Sequence, residues 1–120
     1  MSGGRAATVD TLEDGNYSLH MTEILQTATF ARWLRELKDR QARARIQVRI
    51  DRLAEGNPGR VRVPRHGVTE IKLSYGPGYR VYYAQRGMRF ILLLCGGDKS
   101  TQAADIQRAY ALAQETENEK

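Results

Sequence analysis

The sequence predicts a single α+β domain with the element order β-α-α-β-β-β-α. Two segments with the period of a helix, residues 29–39 and 40–55, stand next to each other in the first half of the chain. Short alternating or apolar segments separated by glycine-containing turns follow, which is typical of antiparallel strands. We therefore expect a twisted, mostly antiparallel sheet with the two helices on one face and a last helix at its edge.

The 120-residue chain divides into three parts. Residues 1–22 show no sustained period and are predicted to be a flexible leader, with Met21 as an alternative start. Residues 23–114 form the predicted domain, which is long enough for one modest core. Residues 115–120 are predicted to be an acidic tail that frays.

The first elements of the domain are predicted to be a short strand, residues 23–27, and a helix. Thr29 is predicted to cap this helix, which continues to about Asp39. Its apolar side chains lie on one face, and they are Phe30, Leu34 and Leu37, with Trp33 beside them.

A second helix is predicted for residues 40–55. It ends at Gly56-Asn57-Pro58-Gly59, a segment unsuited to helix. Two stripes of side chains follow the period of this helix, one apolar and one basic. We expect the apolar stripe to face the core and the basic stripe to face the solvent, an acidic partner or phosphate. The apolar stripe is Ile46, Ile50 and Leu53, and the basic stripe is Arg45, Arg49 and Arg52.

The sheet is centred on a predicted hairpin that turns at residues 76–78. Before the turn, Glu70 and Lys72 alternate with Ile71 and Leu73, so one face of this strand is polar and the other apolar. The turn sequence is Gly-Pro-Gly, in which proline restricts φ and glycine accepts a positive φ.

Two more strands and a helix complete the predicted domain. Residues 60–65 form a strand before the hairpin, and residues 89–95 form the most apolar strand, suited to the middle of the sheet. Ser100 or Thr101 is predicted to cap a last helix that runs to about Ala113.

The body of the chain is more basic than its net charge of +5 indicates. Residues 24–110 contain 17 lysine and arginine residues against 7 aspartate and glutamate residues, a net charge of +10. The first 23 residues carry −3 and the last ten carry −2. This distribution favours a nucleic acid or an acidic protein as partner, with a merely solvated basic surface as the alternative.

Several classes of chemistry are excluded by composition and motif. One cysteine, Cys95, and two histidines, His20 and His66, are too few for a zinc-type cluster, and Cys95 is predicted to be a buried apolar residue. Nucleotide-binding glycine motifs are missing, so we expect neither a metal nor a cofactor. No apolar run reaches the length of a membrane span and no signal peptide is recognisable, so a cytoplasmic location is expected.

The cations that remain are suited to an RNA phosphate. Cleavage without a metal needs a group that removes the 2′-hydroxyl proton, a group that stabilises the phosphorane charge and a donor for the leaving 5′-oxygen. Neighbouring cations lower the pKa of a lysine toward that of a base, whereas an arginine stays charged. Phosphate binding without chemistry is equally consistent with these residues. They are Arg62, Arg65, Lys72, Arg80, Arg89 and Lys99, with His66 nearby.

The order and spacing of five segments between residues 24 and 113 are together specific, whereas any one segment alone is a weak signal. They are Thr29-Phe30 with Trp33-Leu34, Gly56-Asn57-Pro58-Gly59, Gly67-Val68-Thr69-Glu70-Ile71-Lys72, Gly76-Pro77-Gly78-Tyr79-Arg80-Val81-Tyr82-Tyr83, and Leu92-Leu93-Leu94-Cys95-Gly96-Gly97-Asp98-Lys99-Ser100-Thr101-Gln102 with Asp105-Ile106. Together they resemble the addiction-module killer proteins of the HigB-like branch of the RelE/ParE toxin superfamily.

The resemblance implies a RelE/ParE-like fold and the toxin of a type II toxin–antitoxin system. RelE- and HigB-type members cut mRNA in the ribosomal A site and leave a 2′,3′-cyclic phosphate, so the implied activity is that of a ribosome-dependent mRNA endoribonuclease. The implied partners are mRNA on the ribosome and a helix-turn-helix, HigA-like antitoxin.

Residue roles follow from the same resemblance. Lys72 corresponds to a strand lysine that acts as base or phosphate ligand, and Arg80 to an arginine that stabilises the transition state. Lys99 corresponds to a cation just after the last strand. The predicted catalytic residues are therefore Lys72, Arg80 and Lys99, and the predicted RNA-binding residues are Arg62, Arg65, His66 and Arg89.

The chain departs from the RelE pattern at the positions of the acid and the base. Glu70 stands where RelE has a second lysine, and we predict that it is a salt-bridge partner of Arg80 rather than a base. Gln102 or Asp105 stands near the position of the catalytic tyrosine of RelE. The alternative function is a ParE-like inhibitor that binds DNA gyrase and cleaves nothing. A double-stranded RNA-binding module is disfavoured, since the last helix begins neutral to acidic.

Overall fold

The computed structural model describes residues 22–117. The predicted leader therefore lies outside the described residues apart from Thr22, as do the last three residues of the predicted tail. The elements are β1 (Glu23–Gln26), α1 (Ala28–Glu36), α2 (Arg40–Ala54), β2 (Val61–Arg65), β3 (Val68–Lys72), β4 (Arg80–Arg86), β5 (Phe90–Gly97) and α3 (Gln102–Glu117), with a 3-10 turn at Lys99–Thr101 before α3.

The five strands form one sheet in the order β1-β5-β4-β3-β2. β1 pairs with β5 in parallel, and every other pair is antiparallel. The mixed α+β class and the mostly antiparallel sheet are confirmed. The predicted order counts four strands, whereas the segments predicted as strands number five, and the sheet contains all five. β2 is the edge strand and pairs with β3, with a register shift between Arg62 and Arg65.

Helices cover both faces of the sheet. On one face, α1 and α2 bury Phe30 and Ile46 against Ile71 and Val81 of the hairpin, as predicted. The other face is covered by α3, which buries Ala109 among sheet residues that include Tyr82 and Leu94. The predicted placement of the last helix at the sheet edge is therefore wrong. The central strands β4 and β5 carry apolar side chains on both faces, so each face needs a cover.

Several helix boundaries differ from the prediction, and α1 ends at Glu36 rather than at about Asp39. Thr27, not Thr29, caps α1: its Oγ1 accepts a hydrogen bond from the Phe30 amide at 3.0 Å and donates to the Leu94 carbonyl at 2.7 Å. Asp98, not Ser100 or Thr101, caps the turn before α3. α3 continues to Glu117, beyond the predicted end at Ala113, and so includes the start of the predicted frayed tail.

Within the described part of the chain, no helix is both long and apolar enough to cross a membrane.

Candidate functional site

The three predicted catalytic cations meet at one end of the sheet. Lys72, the last residue of β3, lies directly opposite Arg80, the first residue of β4. Arg80 is in turn opposite Gly97, which ends β5, and Lys99 follows two residues later. The Lys99 amide donates to the carbonyl of Pro77 at 3.4 Å, which ties the segment after β5 to the hairpin turn.

Gly78 allows two of these cations to approach each other. Its φ is +84°, which the turn requires. A Cβ atom at this position would lie 3.1 Å from Nη1 of Arg80 and 3.5 Å from Cβ of Lys99. Arg80 Nη1 also donates to the Gly78 carbonyl at 2.7 Å. The glycine turn therefore positions the guanidinium beside the base of the Lys99 side chain.

Arg80 forms an ion pair with Glu70 inside the protein. The two residues are only 4% and 5% exposed, and Arg80 Nε lies 3.6 Å from Glu70 Oε2. The salt bridge predicted from the sequence is confirmed. The polar face of the hairpin is nevertheless buried rather than open to solvent, because α3 passes over it. Within residues 22–117, Arg80 Nε has no hydrogen-bond partner.

The Glu70 carboxylate is held by side chains from three other elements. Oε2 accepts from Tyr82 Oη at 3.0 Å and from Gln102 Nε2 at 2.8 Å. Oε1 is 3.4 Å from Nη1 of Arg62 on the edge strand. Burial, and next the Glu70 charge, raise the pKa of Tyr82 well above that of a free tyrosine, so Tyr82 remains a neutral donor. Glu70 is thus placed to orient Arg80, and its Oε2 accepts two hydrogen bonds.

Asp105 attaches α3 to the end of β5. Its Oδ2 accepts a hydrogen bond from Thr101 Oγ1 at 2.5 Å. A Cβ atom on Gly97 would lie 1.8 Å from the same oxygen, so the carboxylate rests directly on the glycine backbone. Asp105 therefore fixes the start of α3 over the end of β5.

Cys95 takes no part in the site. It is 1% exposed and its Sγ lies 3.6 Å from the Asp105 carbonyl. Burial raises the pKa of the thiol to about 12, and the Asp105 charge adds to this. The prediction of a buried apolar residue is confirmed.

One anion lies beside the cations, and the sequence analysis missed it. Asp98 Oδ1 accepts from the Ser100 amide at 2.8 Å, and the Thr101 hydroxyl completes a capping box. Hydrogen bonding from Ser100 lowers the pKa of Asp98, and Arg80 contributes through its charge. The signal in the sequence was an aspartate three residues before a threonine at a helix start.

Three of the four predicted RNA-binding residues border a cleft between β2 and α3. Its volume is about 100 Å³, and Arg62 and Arg65 are at its edge. The ring of His66 packs at 69° against that of Tyr110, with 4.6 Å between centroids. The residues that line the cleft are Arg62, Arg65, Val68, Glu70, Tyr82, Ile106 and Tyr110.

Arg89, the fourth, lies at the opposite end of the sheet. It belongs to the turn between β4 and β5, whereas Arg80 begins β4. The length of β4 separates the two by roughly 20 Å. The structure therefore does not bring Arg89 to the cation cluster or to the cleft.

The arginines of the basic stripe of α2 make different contacts in the structure. Arg49 donates from Nη1 to the Lys72 carbonyl and from Nη2 to the Pro58 carbonyl, each at 3.0 Å. Partial burial, and next the charge of Arg52, lower the pKa of Arg49. Arg45 instead lies 4.5 Å from the centre of the Tyr75 ring. Arg49 is therefore a brace for the strand that carries Lys72, a role that the periodic pattern could not reveal.

Within residues 22–117, no three histidine, cysteine, aspartate or glutamate side chains are grouped so that they could hold a metal ion.

A basic cluster supported by a buried carboxylate thus lies at one end of a small α+β sheet. Residues 32–116 match the family described as phage derived protein Gp49-like (DUF891), and the chain belongs to this family. The family is of the RelE/HigB toxin type and is associated with the toxins of toxin–antitoxin systems. The chain is also similar to an uncharacterized protein of Haemophilus influenzae, with 46% identity over 93 residues, 78% of this chain and 94% of that protein.

Proposed function

We propose that this protein is the toxin of a type II toxin–antitoxin pair and that it inhibits translation by cutting mRNA on the ribosome. The observation that carries the proposal is the convergence of Lys72, Arg80 and Lys99 at one end of the sheet, around a guanidinium held by Glu70. Membership in a family associated with the toxins of toxin–antitoxin systems supports the assignment as a toxin.

The proposed reaction is an attack by the ribose 2′-oxygen on the adjacent phosphorus. The 2′-oxygen loses its proton and bonds to phosphorus, and the bond from phosphorus to the 5′-oxygen breaks with a proton delivered to that oxygen. The products are a 2′,3′-cyclic phosphate and a 5′-hydroxyl end. No redox partner is required, because the substrate supplies both nucleophile and leaving group.

Arg80 is assigned to the charge that develops on the phosphorane. Its Nη1 is held by the Gly78 carbonyl and its Nε faces Glu70 Oε2, so its orientation is set before RNA binds. A preorganised donor at a site with little water stabilises developing charge more than a mobile surface arginine. The neighbouring carboxylate also keeps the guanidinium from withdrawing into solvent.

Lys72 and Lys99 are assigned to the proton transfers. Lys72 is half-buried on β3 opposite Arg80, and its amine is assigned to accept the 2′-hydroxyl proton. Lys99 is exposed at the end of β5, where its ammonium group is suited to protonating the leaving 5′-oxygen. Tyr82 and Asp98 are poorer choices, since the pKa of Tyr82 is raised and that of Asp98 is lowered.

The proposed regulatory partner is a helix-turn-helix antitoxin of the HigA-like type, in the cytoplasm. The basic body of the chain, with its net charge of +10 over residues 24–110, favours an acidic partner surface as well as RNA. Expression with such a protein from an adjacent reading frame is expected to yield a complex in which mRNA cleavage is blocked. Full cleavage by that stable complex would contradict this assignment.

The test is to express the chain in a translating extract and to map the 5′ ends of the mRNA. Two variants probe the cluster: Arg80→Lys, which keeps the charge but loses the fork, and Lys99→Ala at an exposed position. Arg89→Ala, an exposed cation at the other end of the sheet, is the matched control. Loss of one transition-state contact is expected to slow cleavage about 100-fold or more, with the control unchanged.

Two results would reject the proposal. One is intact mRNA together with gyrase trapped on cleaved plasmid, the behaviour of a ParE-like inhibitor. The other is ribosome-dependent cleavage that Arg80→Lys and Lys99→Ala leave as fast as in the unmodified protein.

A further inference from the structure

We propose that the cleft between β2 and α3 is a subsite for one unpaired nucleobase that carries an exocyclic amino group. This inference rests on the proposed function, since it supplies the base next to the phosphate held by the cation cluster. The cleft is defined by the lining residues given above, and no part of the proposed chemistry uses it.

The position of the cleft relative to the cluster is set by the β-sheet. Glu70, in the cleft, and Lys72, in the cluster, are two residues apart on β3 and point to the same face. Their separation along the strand is about 7 Å. A single RNA strand with a phosphate at Arg80 therefore brings an adjacent base to the cleft.

One wall of the cleft is aromatic. Tyr110 lies half-buried on α3, and the imidazole of His66 packs on it edge-on. His66 has a φ of +51°, a conformation uncommon for residues other than glycine, and it lies in the β2–β3 turn. Proteins that recognise single-stranded RNA stack splayed-out bases on rings of this kind.

The floor of the cleft is the carboxylate of Glu70, which is a hydrogen-bond acceptor. Tyr82 and Gln102 both donate to Glu70 Oε2, so Oε1 is the carboxylate oxygen with spare capacity. Its partner, Nη1 of Arg62, is 3.4 Å away on a side chain that is 62% exposed, a contact of little strength. An amino group of cytosine, adenine or guanine can donate to Oε1, and uracil has a carbonyl oxygen in the corresponding place.

The rim of the cleft favours nucleic acid over peptide. Arg62 and Arg65 are exposed at its edge and are suited to the backbone phosphates of the same strand. The carboxylate on the floor repels an acidic peptide side chain, and an aliphatic one would leave Oε1 without a donor. A nucleobase with an amino group can donate a hydrogen bond to Glu70 Oε1 and stack on the ring of Tyr110.

The test uses the full chain and 2′-O-methyl pentanucleotides that cannot be cleaved, UUCUU, UUAUU, UUGUU and UUUUU, with binding followed by fluorescence anisotropy. We expect each of the first three to bind about fivefold or more tightly than UUUUU, as one added hydrogen bond to a charged acceptor implies. Tyr110→Leu should weaken binding of all four about tenfold. Tyr110→Phe retains the ring and is the matched control, with unchanged affinity expected.

Three outcomes would overturn the subsite. They are equal or undetectable binding of all four oligonucleotides, affinities that a folded Tyr110→Leu variant leaves unchanged, and a Tyr110→Leu variant that fails to bind the antitoxin while binding RNA normally. Mapping cleavage on the ribosome keeps the two proposals separate. Base-selective binding without cleavage would remove only the proposed function, and cleavage without base selection would remove only the subsite.

Discussion

The carboxylate of Glu70 and the guanidinium of Arg80 face each other in the interior, 3.6 Å apart between Oε2 and Nε. Removing two such charges from water costs several kcal/mol per ion, which their mutual attraction repays only when further hydrogen bonds are made. Tyr82 and Gln102 make those bonds to the carboxylate. The arrangement holds one arginine in a set orientation, as the proposed role of Arg80 requires.

Replacing Glu70 by alanine is expected to destabilise the fold by about 3–5 kcal/mol, because Arg80 becomes a buried charge without its counter-ion. Urea denaturation of the purified variant measures this free energy. Arg62→Ala removes a partner of the same carboxylate that is 62% exposed, and should change stability by less than about 1 kcal/mol. Equal losses for the two variants would contradict the buried pair.

Substitution of Gly97 by alanine is expected to destabilise the protein by about 1–3 kcal/mol through overpacking. The new Cβ would lie 1.8 Å from Oδ2 of Asp105, so the start of α3 must move. A thermal melt of Gly97→Ala, of Asp105→Ala and of the double variant tests the contact. The double variant should be more stable than the sum of the single losses predicts; strict additivity would show that the two residues do not touch.

Arg49→Ala is expected to lower stability by about 1–3 kcal/mol while leaving base-selective RNA binding intact. Its guanidinium joins α2 to the carbonyls of Lys72 and Pro58, and these lose a charged donor. Arg52→Ala, one turn along the same stripe and exposed, serves as the control and should be close to neutral. A reversed order of effects in chemical denaturation would contradict the bracing role of Arg49.

Stability should fall as the pH rises above about 9. Burial raises the pKa of Cys95 from 9.0 to about 12, and it also raises that of Tyr82. Above pH 9 the unfolded chain therefore releases protons that the folded chain retains, and folding weakens with each increment of pH. Well below pH 9 both groups are protonated in both states and contribute no slope.

Denaturation at a series of alkaline pH values measures this effect. Cys95→Ala removes one of the groups with a raised pKa and should reduce the slope between pH 9 and 12. A slope that is unchanged in this variant would show that the thiol ionises as readily in the folded protein as in the unfolded one.

Local patterns accounted for most of the secondary structure. The second helix was predicted at residues 40–55 and is observed at Arg40–Ala54, because its apolar period and its glycine-proline stop are both local. The pairing of Glu70 with Arg80 was also predictable, since a tight turn at residues 76–78 limits the register of the hairpin.

Contacts distant in sequence decided what the patterns missed. Thr27 rather than Thr29 caps α1 partly because the Leu94 carbonyl, 67 residues away, accepts from its hydroxyl. Arg89 shares its charge with Arg80, yet the direction of β4 places them at opposite ends of the sheet. Composition does not distinguish these two arginines, and only the fold shows that they lie far apart.

The sequence by itself determined the α+β class, the three cations and their order along the chain, because periodicity and charge are properties of neighbouring residues. The tertiary structure decided that α3 covers the Glu70 face, which buries the ion pair and leaves a cleft beside β2. The physical reason is that burial depends on which element packs over a side chain. The central strands β4 and β5 carry apolar side chains on both faces, so a helix must pack over each face.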